Sequence, residues 1–373
     1  GGCRLMKPQV AAKYINNLPE DELVYPPNVP DRKIYTGYWS ASRLGTNGGD
    51  GGLVGQLAVA YDLTCLAGEG GTPVYSDEQR LLIERDVLLE ASYLLACDSA
   101  INNKSVGNRT GAALVGLVVG HPGLVHFGIE GFERTVNDWF LPDGGTSESP
   151  AYAMMTMGGI RRLPLAIRDY SDPPGYTTPA GTRLDGFNAS RDTLYGDCWQ
   201  SLIWTLQGNL KHTPDADSYR TTGISASDAE PIALSYPTPQ RLALLNELAS
   251  GEGRPGSLQM ATLYRDPALN EREVAAFELP DMVFPYLAQG YLRSGEHGRG
   301  STVMLNASDW GGHHHYDSLD LYYWKDGREL LSDLGYLWDH PDSGQTRATR
   351  AHNLVMIDEA GQRHQDRGGS LHL

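Results

Sequence analysis

The pattern of apolar residues changes once along this chain, and that change limits the folds it can adopt. From Leu53 to about Leu248, apolar residues recur at helical spacing, with Gly- and Pro-containing loops between the segments. From about Met282 the apolar runs become short and rich in β-branched and aromatic residues, with Gly, Asp and Asn turns between them. We therefore predict an α+β protein in which a helical array precedes an antiparallel sheet.

Local signals place several of these elements. Ser76 followed by Gln79 predicts a capping box at the start of a helix. Lys-Asp-Gly at 325–327 predicts a hairpin turn in the sheet region. The expected helices cover residues 53–66, 78–97, 110–119, 128–140, 152–168, 190–207 and 239–249.

We expect three parts: an irregular lead-in at 1–52, a helical domain at 53–281 and an antiparallel sheet domain at 282–373. Both ends of the sequence look like cuts from a longer chain. A sheet of four or five strands that is covered on one face normally needs more residues than remain. We therefore expect the sheet domain to be truncated at its C-terminus.

Composition excludes several functional classes. The chain has 373 residues and a net charge of −16, which argues against a general nucleic-acid binder because such proteins need a basic face. The longest apolar run, Ala112 to Gly120, is about half of a membrane span. Four cysteines without a CxxC pair exclude a disulfide scaffold and a thiolate zinc site. The P-loop, GxSxG and HExxH motifs are absent.

The densest cluster of chemical groups is GGHHHYDSLDL at 311–321. Side chains alternate between the two faces of a strand. If this segment is a strand, His313, His315 and Asp317 share one face and His314 lies on the other.

Two later residues extend this cluster. Asp333 and His352 lie in segments predicted as neighbouring strands. Together with His315 they form a His/Asp/His set suited to zinc, with water as a fourth ligand. The alternative is a polar sheet surface that carries ordinary histidines.

A turn-rich stretch at 141–155 opens into a predicted helix with Tyr152 in its first turn. A phenol near a helix N-terminus and cationic neighbours would have its pKa lowered below about 10 and could act as an acid or a base. Glu148 in the preceding loop is expected to cap backbone amides. The alternative for Tyr152 is a packed or surface tyrosine.

Two further segments carry polar groups at loops. Asn108 and Arg109 lie where a loop becomes a helix, and an amide with a guanidinium could hold a carboxylate together. Asp215 and Asp217 have incomplete spacing for a carboxylate pair or a calcium loop, so we expect a solvated loop there.

Taken together, these motifs resemble the heparinase II/III-like polysaccharide lyases, a family that includes several alginate lyases. The resemblance implies an incomplete N-terminal (α/α) toroid followed by an antiparallel β-sheet or sandwich domain. The segments that carry it are AVAYDL at 58–63, GNRTGAAL at 107–114, LPDGGTSESPAY at 141–152, YLRSG at 291–295, GGHHHYDSLDL at 311–321, ELLSDLG at 329–335 and RAHNLVMID at 350–358.

The resemblance also implies roles for individual residues. Tyr152 matches the catalytic tyrosine, His313 the catalytic histidine of the sheet, and Asn108 the group that neutralises the uronate carboxylate. Arg109 is a departure, because some members carry a histidine there. The implied ligands of a mostly structural zinc site are His315, Asp333 and His352.

The implied reaction is β-elimination in a uronic-acid polysaccharide such as alginate or a glycosaminoglycan. A base removes the C5 proton, an acid protonates the departing O4, and the bound carboxylate lets the developing charge delocalise. Tyr152 alone can do both steps if they occur on one sugar face, whereas His313 is the better base if they occur on opposite faces. The alternatives are a uronate C5-epimerase and a non-catalytic carbohydrate-binding protein.

An anionic substrate requires a local positive groove on this acidic chain. Glu148 and Trp39 are further expected substrate contacts. Secretion or a periplasmic location is expected from the class of substrate. The groove is expected to use Lys104, Arg109, Arg161, Arg162 and Arg293.

Overall fold

The computed structural model describes residues 49–96, 98, 100–146, 148–252, 274–308, 312–338 and 340–363. Their contacts group them into two compact units. The first unit contains the described residues up to Thr135 together with Thr156–Asn188. The second contains Val136–Met155 and the described residues from Ala189 onward. The predicted domain limits stay a prediction.

The first unit is helical apart from a short two-stranded ribbon. Helix α6 begins in the second unit, and its last five residues belong to the first. The elements are α1 (Gly49–Asp62), β1 (Gly68–Glu69), β2 (Thr72–Pro73), α2 (Asp77–Leu81), a π-helical segment (Leu82–Leu89), α3 (Glu90–Leu95), α4 (Ser105–Val119), α5 (Pro122–Arg134), α6 (Pro150–Ile160) and α7 (Leu163–Ala166).

The helical predictions hold where local signals are strong. The hydroxyl of Ser76 accepts from the backbone N–H of Gln79, and the Gln79 side chain accepts from the N–H of Ser76, which confirms the capping box. Helix α4 ends at Gly120, whose φ of 70° is the left-handed conformation typical of a C-terminal glycine.

Two helices of the first unit approach each other at backbone distance. A Cβ atom on Gly51 of α1 would lie 2.1 Å from the carbonyl oxygen of Gly107 in α4. A Cβ atom on Gly111 would lie 2.4 Å from the carbonyl oxygen of Gly51. Glycine at these positions lets α1 and α4 pack closely. The surrounding core is apolar and includes Val54, Ala58, Leu88, Ala91, Leu95, Ala112 and Val115.

The second unit combines helices with a five-stranded antiparallel sheet in the order β3-β4-β5-β6-β7. The sheet begins at Met282, which confirms the predicted change of texture. A π-helical segment (Thr135–Trp139) begins at the last residue of the first unit's main stretch and continues into the second unit. The other elements of the second unit are α8 (Ala189–Asp192), α9 (Tyr195–Trp204), α10 (Ala226–Ser235), α11 (Pro239–Glu252), β3 (Met282–Phe284), β4 (Gln289–Ser294), β5 (Ser301–Asn306), β6 (Asp320–Lys325), β7 (Arg328–Leu331) and α12 (Ser343–Thr346).

One face of this sheet is buried. Tyr291, Met304 and Tyr322 are cross-strand partners in register, and all three are buried. At one end of the same face the register aligns three polar residues instead, namely Gln289, Asn306 and Asp320. Apolar packing therefore holds the middle of the sheet together, and its polar end borders the loops that carry the predicted site.

The structure corrects two strand predictions. The histidine segment is irregular up to Leu319, and β6 begins only at Asp320. The segment 350–358 is also irregular, with a short 3₁₀ turn at Thr349–Ala351. The hairpin is confirmed, because Asp326 and Gly327 both have positive φ between β6 and β7.

Among the described residues, every helix is too short or too polar to cross a membrane. The toroidal arrangement and the truncation of the sheet domain stay predictions.

Candidate active site

Two aromatic rings stack in the second unit. Tyr152 lies in the first turn of α6, and His313 lies in the irregular segment before β6. Their ring centroids are 3.7 Å apart and their planes are inclined by 19°. This contact brings together the phenol and the imidazole that the sequence motifs single out, although they are far apart along the chain.

His313 is held in an unusual backbone conformation. Its φ is +64°, in the left-handed region that costs a non-glycine residue roughly 1–3 kcal/mol. Its carbonyl oxygen accepts from the backbone N–H of Asp217, and its Nδ1 lies 2.8 Å from Asp217 Oδ2. Two contacts with one residue therefore fix the backbone and the ring. The side chain stays one-third exposed.

Asp217 is the main site residue that sequence reasoning missed. We expected a solvated loop there, but both Asp215 and Asp217 are buried. Burial raises the pKa of Asp217, but hydrogen bonds from His313 and His315 outweigh it and lower the pKa to about 2. Asp217 is therefore a buried carboxylate that remains ionised.

The expected lowering of the Tyr152 pKa is wrong. Burial raises this pKa well above 10, and a hydrogen bond with Tyr336 raises it further. The charged groups that act on the phenol are Asp217 and Glu148, which are anionic rather than cationic. The phenol therefore stays protonated at neutral pH.

The cap of α6 also differs from the prediction. The hydroxyl of Ser149, not the carboxylate of Glu148, accepts from the N–H of Tyr152, at 3.5 Å. The Ser149 hydroxyl in turn donates to the backbone carbonyl of Asp217 at 2.9 Å. Ser149 thus ties the start of the tyrosine helix to the loop that holds His313.

The proposed metal ligands lie together. One potential ligand atom from each of His315, Asp333 and His352 lies within 4.8 Å of the others. His352 Nδ1 is 2.8 Å from Asp333 Oδ2, and His315 Nε2 is 3.0 Å from Asp217 Oδ1. The remaining ring nitrogens, His315 Nδ1 and His352 Nε2, are buried and have no hydrogen-bond partner among the described residues.

A second missed residue positions His352. The backbone N–H of Asn353 donates to Asp320 Oδ1 at 2.6 Å, and its side-chain amide donates to the carbonyl of Ser332 at 3.0 Å. The first contact docks the segment on β6, and the second docks it beside Asp333. Asn353 therefore does for the 350–358 segment what strand pairing was expected to do.

The electrostatics of this cluster fit a divalent cation. Burial and the neighbouring carboxylates of Asp333, Asp215 and Asp320 together raise the pKa of Asp317 to about 8, against the opposing effect of His352. Asp317 Oδ1 has no hydrogen-bond partner within the part of the chain that the structure describes. Crowded buried carboxylates beside two imidazoles with open nitrogens match the donor set that zinc prefers.

Asn108 and Arg109 belong to the first unit, where both are buried. Asn108 Oδ1 accepts from the N–H of Gly51 at 3.2 Å, and its Nδ2 donates to Asp98 Oδ2 at 3.0 Å. The Arg109 guanidinium donates to the carbonyl of Phe127 and lies 4.5 Å from the centre of that ring. These contacts with Gly51, Asp98 and Phe127 are internal to the helical unit, and the roles of Asn108 and Arg109 in substrate binding stay predictions.

The other predicted substrate contacts lie in different environments. Lys104 is exposed at the start of α4. Arg293 is engaged within the second unit, because its terminal nitrogens donate to the carbonyls of Trp204, Leu206 and Pro280. Glu148 is half-buried, and burial raises its pKa. Trp39 lies outside the described residues.

Comparison with solved structures identifies the fold. Heparinase III matches with a TM-score of 0.59 and 12% identity over 95% of this chain and 51% of that chain. A mutant of the heparan sulfate lyase HepC from Pedobacter heparinus matches with a TM-score of 0.59 and 16% identity over 89% of this chain and 47% of that chain. The fold is heparinase III-like.

The resemblance drawn from the motifs is thereby confirmed at the level of the fold. The chain spans about half the length of the structures it matches. No protein-family model matches the sequence, and neither does any curated protein.

Proposed function

We propose that this chain carries the proton-transfer residues of a polysaccharide lyase that cleaves a uronic-acid-containing glycosaminoglycan by β-elimination. The observation that carries the proposal is the Tyr152–His313 stack with the Asp217 carboxylate behind the imidazole. An acid and a base of different strength, side by side and partly exposed, are what C5 proton removal and O4 protonation require.

The geometry supports separate roles for the two residues, one as the base and the other as the acid. Asp217 accepts from Nδ1 of His313, which leaves Nε2 as the nitrogen that carries the basic lone pair. Tyr152 is protonated at neutral pH because burial and Tyr336 raise its pKa. We therefore assign His313 as the base that removes the C5 proton and Tyr152 as the acid that protonates the leaving O4.

The third requirement is neutralisation of the uronate carboxylate, which allows the carbanion to delocalise. Asn108 remains the proposed group for this task, with Arg109 beside it. Among the described residues, the Asn108 amide donates one of its two hydrogens, to Asp98, and the proposed role assigns the other to the substrate carboxylate.

We propose that zinc occupies the His315, Asp333 and His352 cluster in a structural role. Elimination needs no metal-bound water, so the ion would fix the loops that carry His313 and neutralise the buried carboxylates. The open ring nitrogens and the raised pKa of Asp317 support this assignment.

Heparan sulfate is the first substrate to assay, because the similar structures are described as heparinase III and heparan sulfate lyase. Alginate is the comparison substrate. An extracellular or periplasmic location is part of the proposal and follows from the size and location of such polymers.

The test follows the ultraviolet absorbance of the unsaturated uronate that elimination creates. Wild-type protein is incubated with heparan sulfate, heparin and alginate, beside Tyr152→Phe and His313→Gln. Each variant should lose about 10²–10⁴-fold in kcat, the usual contribution of a positioned acid or base. Tyr286→Phe is the matched control, since Tyr286 is 57% exposed and should tolerate loss of its hydroxyl.

Failure of folded wild-type protein to cleave any of these polymers would refute the lyase. Deuterium incorporated from solvent at C5 without chain shortening would identify an epimerase instead. Binding of polysaccharide that is unchanged in Tyr152→Phe, with no chemical product, would identify a carbohydrate-binding protein.

A further inference from the structure

One carboxylate joins the two halves of this site. Asp217 is 3% exposed, and each of its oxygens contacts a different imidazole. Oδ2 lies 2.8 Å from Nδ1 of His313, and Oδ1 lies 3.0 Å from Nε2 of His315. His313 is the proposed base, and His315 is a proposed metal ligand.

The protons in this bridge can be assigned by chemistry. An ionised carboxylate only accepts hydrogen bonds, so both imidazoles must donate to it. Neutral His313 then carries its proton on Nδ1 and has its lone pair on Nε2. Neutral His315 carries its proton on Nε2 and has its lone pair on Nδ1. The bridge therefore requires opposite tautomers in two histidines that are two residues apart.

The two lone pairs, on Nδ1 of His315 and Nε2 of His313, lie on the nitrogens that the proposed metal site and the proposed base require. Nδ1 of His315 is buried and has no hydrogen-bond partner among the described residues, as expected for a nitrogen kept for a metal. The His313 side chain is one-third exposed, and Nε2 is the ring nitrogen that this tautomer leaves with a lone pair for the substrate proton. Reversal of either tautomer would place a proton on the nitrogen that has to act.

We propose that Asp217 is a positioning residue that couples the zinc cluster to the catalytic imidazole by holding His313 and His315 in opposite tautomers. The inference rests on the proposed function for the role of His313, and on the proposed zinc site for the role of His315. A carboxylate behind a metal-binding histidine typically fixes the orientation of that ring and strengthens its bond to the metal. Here the same carboxylate also orients the base.

Asp217→Asn separates this role from simple packing. Asparagine has nearly the same shape but offers one acceptor oxygen and one donor nitrogen. Only one of the two histidines can then keep its tautomer, and the other must rotate or reverse. Asp172→Asn is the matched control, because Asp172 is also buried and also contacts an imidazole, His126 Nε2 at 2.8 Å, but lies in the first unit.

The first measurement uses the full wild-type chain without substrate or metal. Nitrogen-15 NMR of the histidine rings at about pH 8.5, where an unperturbed imidazole is neutral, reports the tautomer of each ring. Histidine-to-glutamine variants assign the signals. We expect the Nδ1–H form for His313 and the Nε2–H form for His315. The opposite tautomer in either ring would overturn the proposal, even if Asp217→Asn does not fold.

The second measurement is zinc affinity, obtained by competition with a chelator. Asp217→Asn should bind zinc about 10–100-fold more weakly than wild type, whereas Asp172→Asn should stay within about threefold. The proposed coupling would be overturned if Asp217→Asn bound zinc as tightly as wild type, or if both variants lost zinc affinity equally. It would also be overturned if wild type bound no zinc. These readouts need no substrate, so they stand apart from any failure of the lyase proposal.

The third measurement is kinetic and uses a polymer that wild type cleaves. A wrong tautomer in a general base lowers kcat by up to about 10⁴-fold while leaving ground-state binding intact. We expect Asp217→Asn to lose at least about 10²-fold in kcat with KM within about threefold. A variant that changes KM and leaves kcat intact would contradict a positioning role.

Discussion

Replacing Asn108 with alanine should destabilise the first unit strongly, whatever Asn108 does for the substrate. The side chain is fully buried at 0% exposure. It accepts from the backbone N–H of Gly51 and donates to a carboxylate oxygen of Asp98. Alanine leaves a buried N–H and a mostly buried carboxylate without these partners.

The magnitude follows from those two contacts. A buried group that loses its partner costs about 1–3 kcal/mol, and more when it is charged, so the variant should lose about 2–5 kcal/mol. At about 2–4 °C per kcal/mol for a unit of this size, the melting temperature should fall by roughly 4–20 °C. Thermal and urea denaturation of the full chain, followed by circular dichroism, measure both quantities.

A second substitution at position 108 should make the stability of the first unit depend on pH through the contact with Asp98. Asn108→Asp keeps the acceptor for Gly51 but brings a second carboxylate to within about hydrogen-bond distance of Asp98. The pair retains a proton in the folded state, so its pKa is raised above the unfolded value. Stability that is present at about pH 4 should therefore be lost as the pH rises towards 7, relative to wild type.

Asp98→Asn is the comparison, because its one oxygen can accept from Asn108 while its amide nitrogen cannot accept from the backbone N–H of Ala100. It should cost about 1–2 kcal/mol, less than Asn108→Ala. A melting temperature for Asn108→Ala within about 1 °C of wild type would refute the reasoning. Activity of the Asn108 variants has to be compared well below their melting temperatures, since unfolding alone would otherwise abolish cleavage.

Three further predictions test other contacts. Gly51→Ala should cost about 1–3 kcal/mol by forcing apart two helices in backbone contact, whereas Gly52→Ala, which meets nothing within 4 Å, should be neutral or stabilising in the same urea titration. Tyr336→Phe removes a hydrogen bond that raises the pKa of Tyr152, so the alkaline limb of the kcat profile should move to lower pH; an unmoved limb would contradict the acid role of the phenol. His315→Ala should abolish tight zinc binding and lower the melting temperature, and chelation should destabilise wild type but leave this variant unchanged.

Much of the fold could be predicted because its signals are local. The Ser76–Gln79 capping box and the Lys-Asp-Gly turn depend on residues a few positions apart, and both are present in the structure. The change of texture at Met282 coincides with the first strand of the sheet. These features depend on periodicity and backbone preference, which a sequence displays directly.

The strand predictions failed where tertiary contacts replace local pairing. His313 and the residues after it look like an alternating strand, but its left-handed backbone is held by Asp217 from 96 positions earlier. The 350–358 segment is apolar enough for a strand, yet it is irregular in the structure. It is held by the hydrogen bonds that Asn353 donates to Asp320 and Ser332. No short-range pattern encodes such contacts.

The same argument explains why the charges of the site were misjudged. A tyrosine at a helix start was expected to feel the positive end of the helix, but its surroundings are a buried carboxylate and a second phenol. The sheet register does contain a usable signal, because Gln289, Asn306 and Asp320 align at the end of an otherwise apolar face. Polar residues that occupy inward positions need partners, and Gln289 finds Asp215. An inward polar row at a sheet end therefore points to a polar loop packed against it, and here that loop is the one that delivers Asp217 to both histidines.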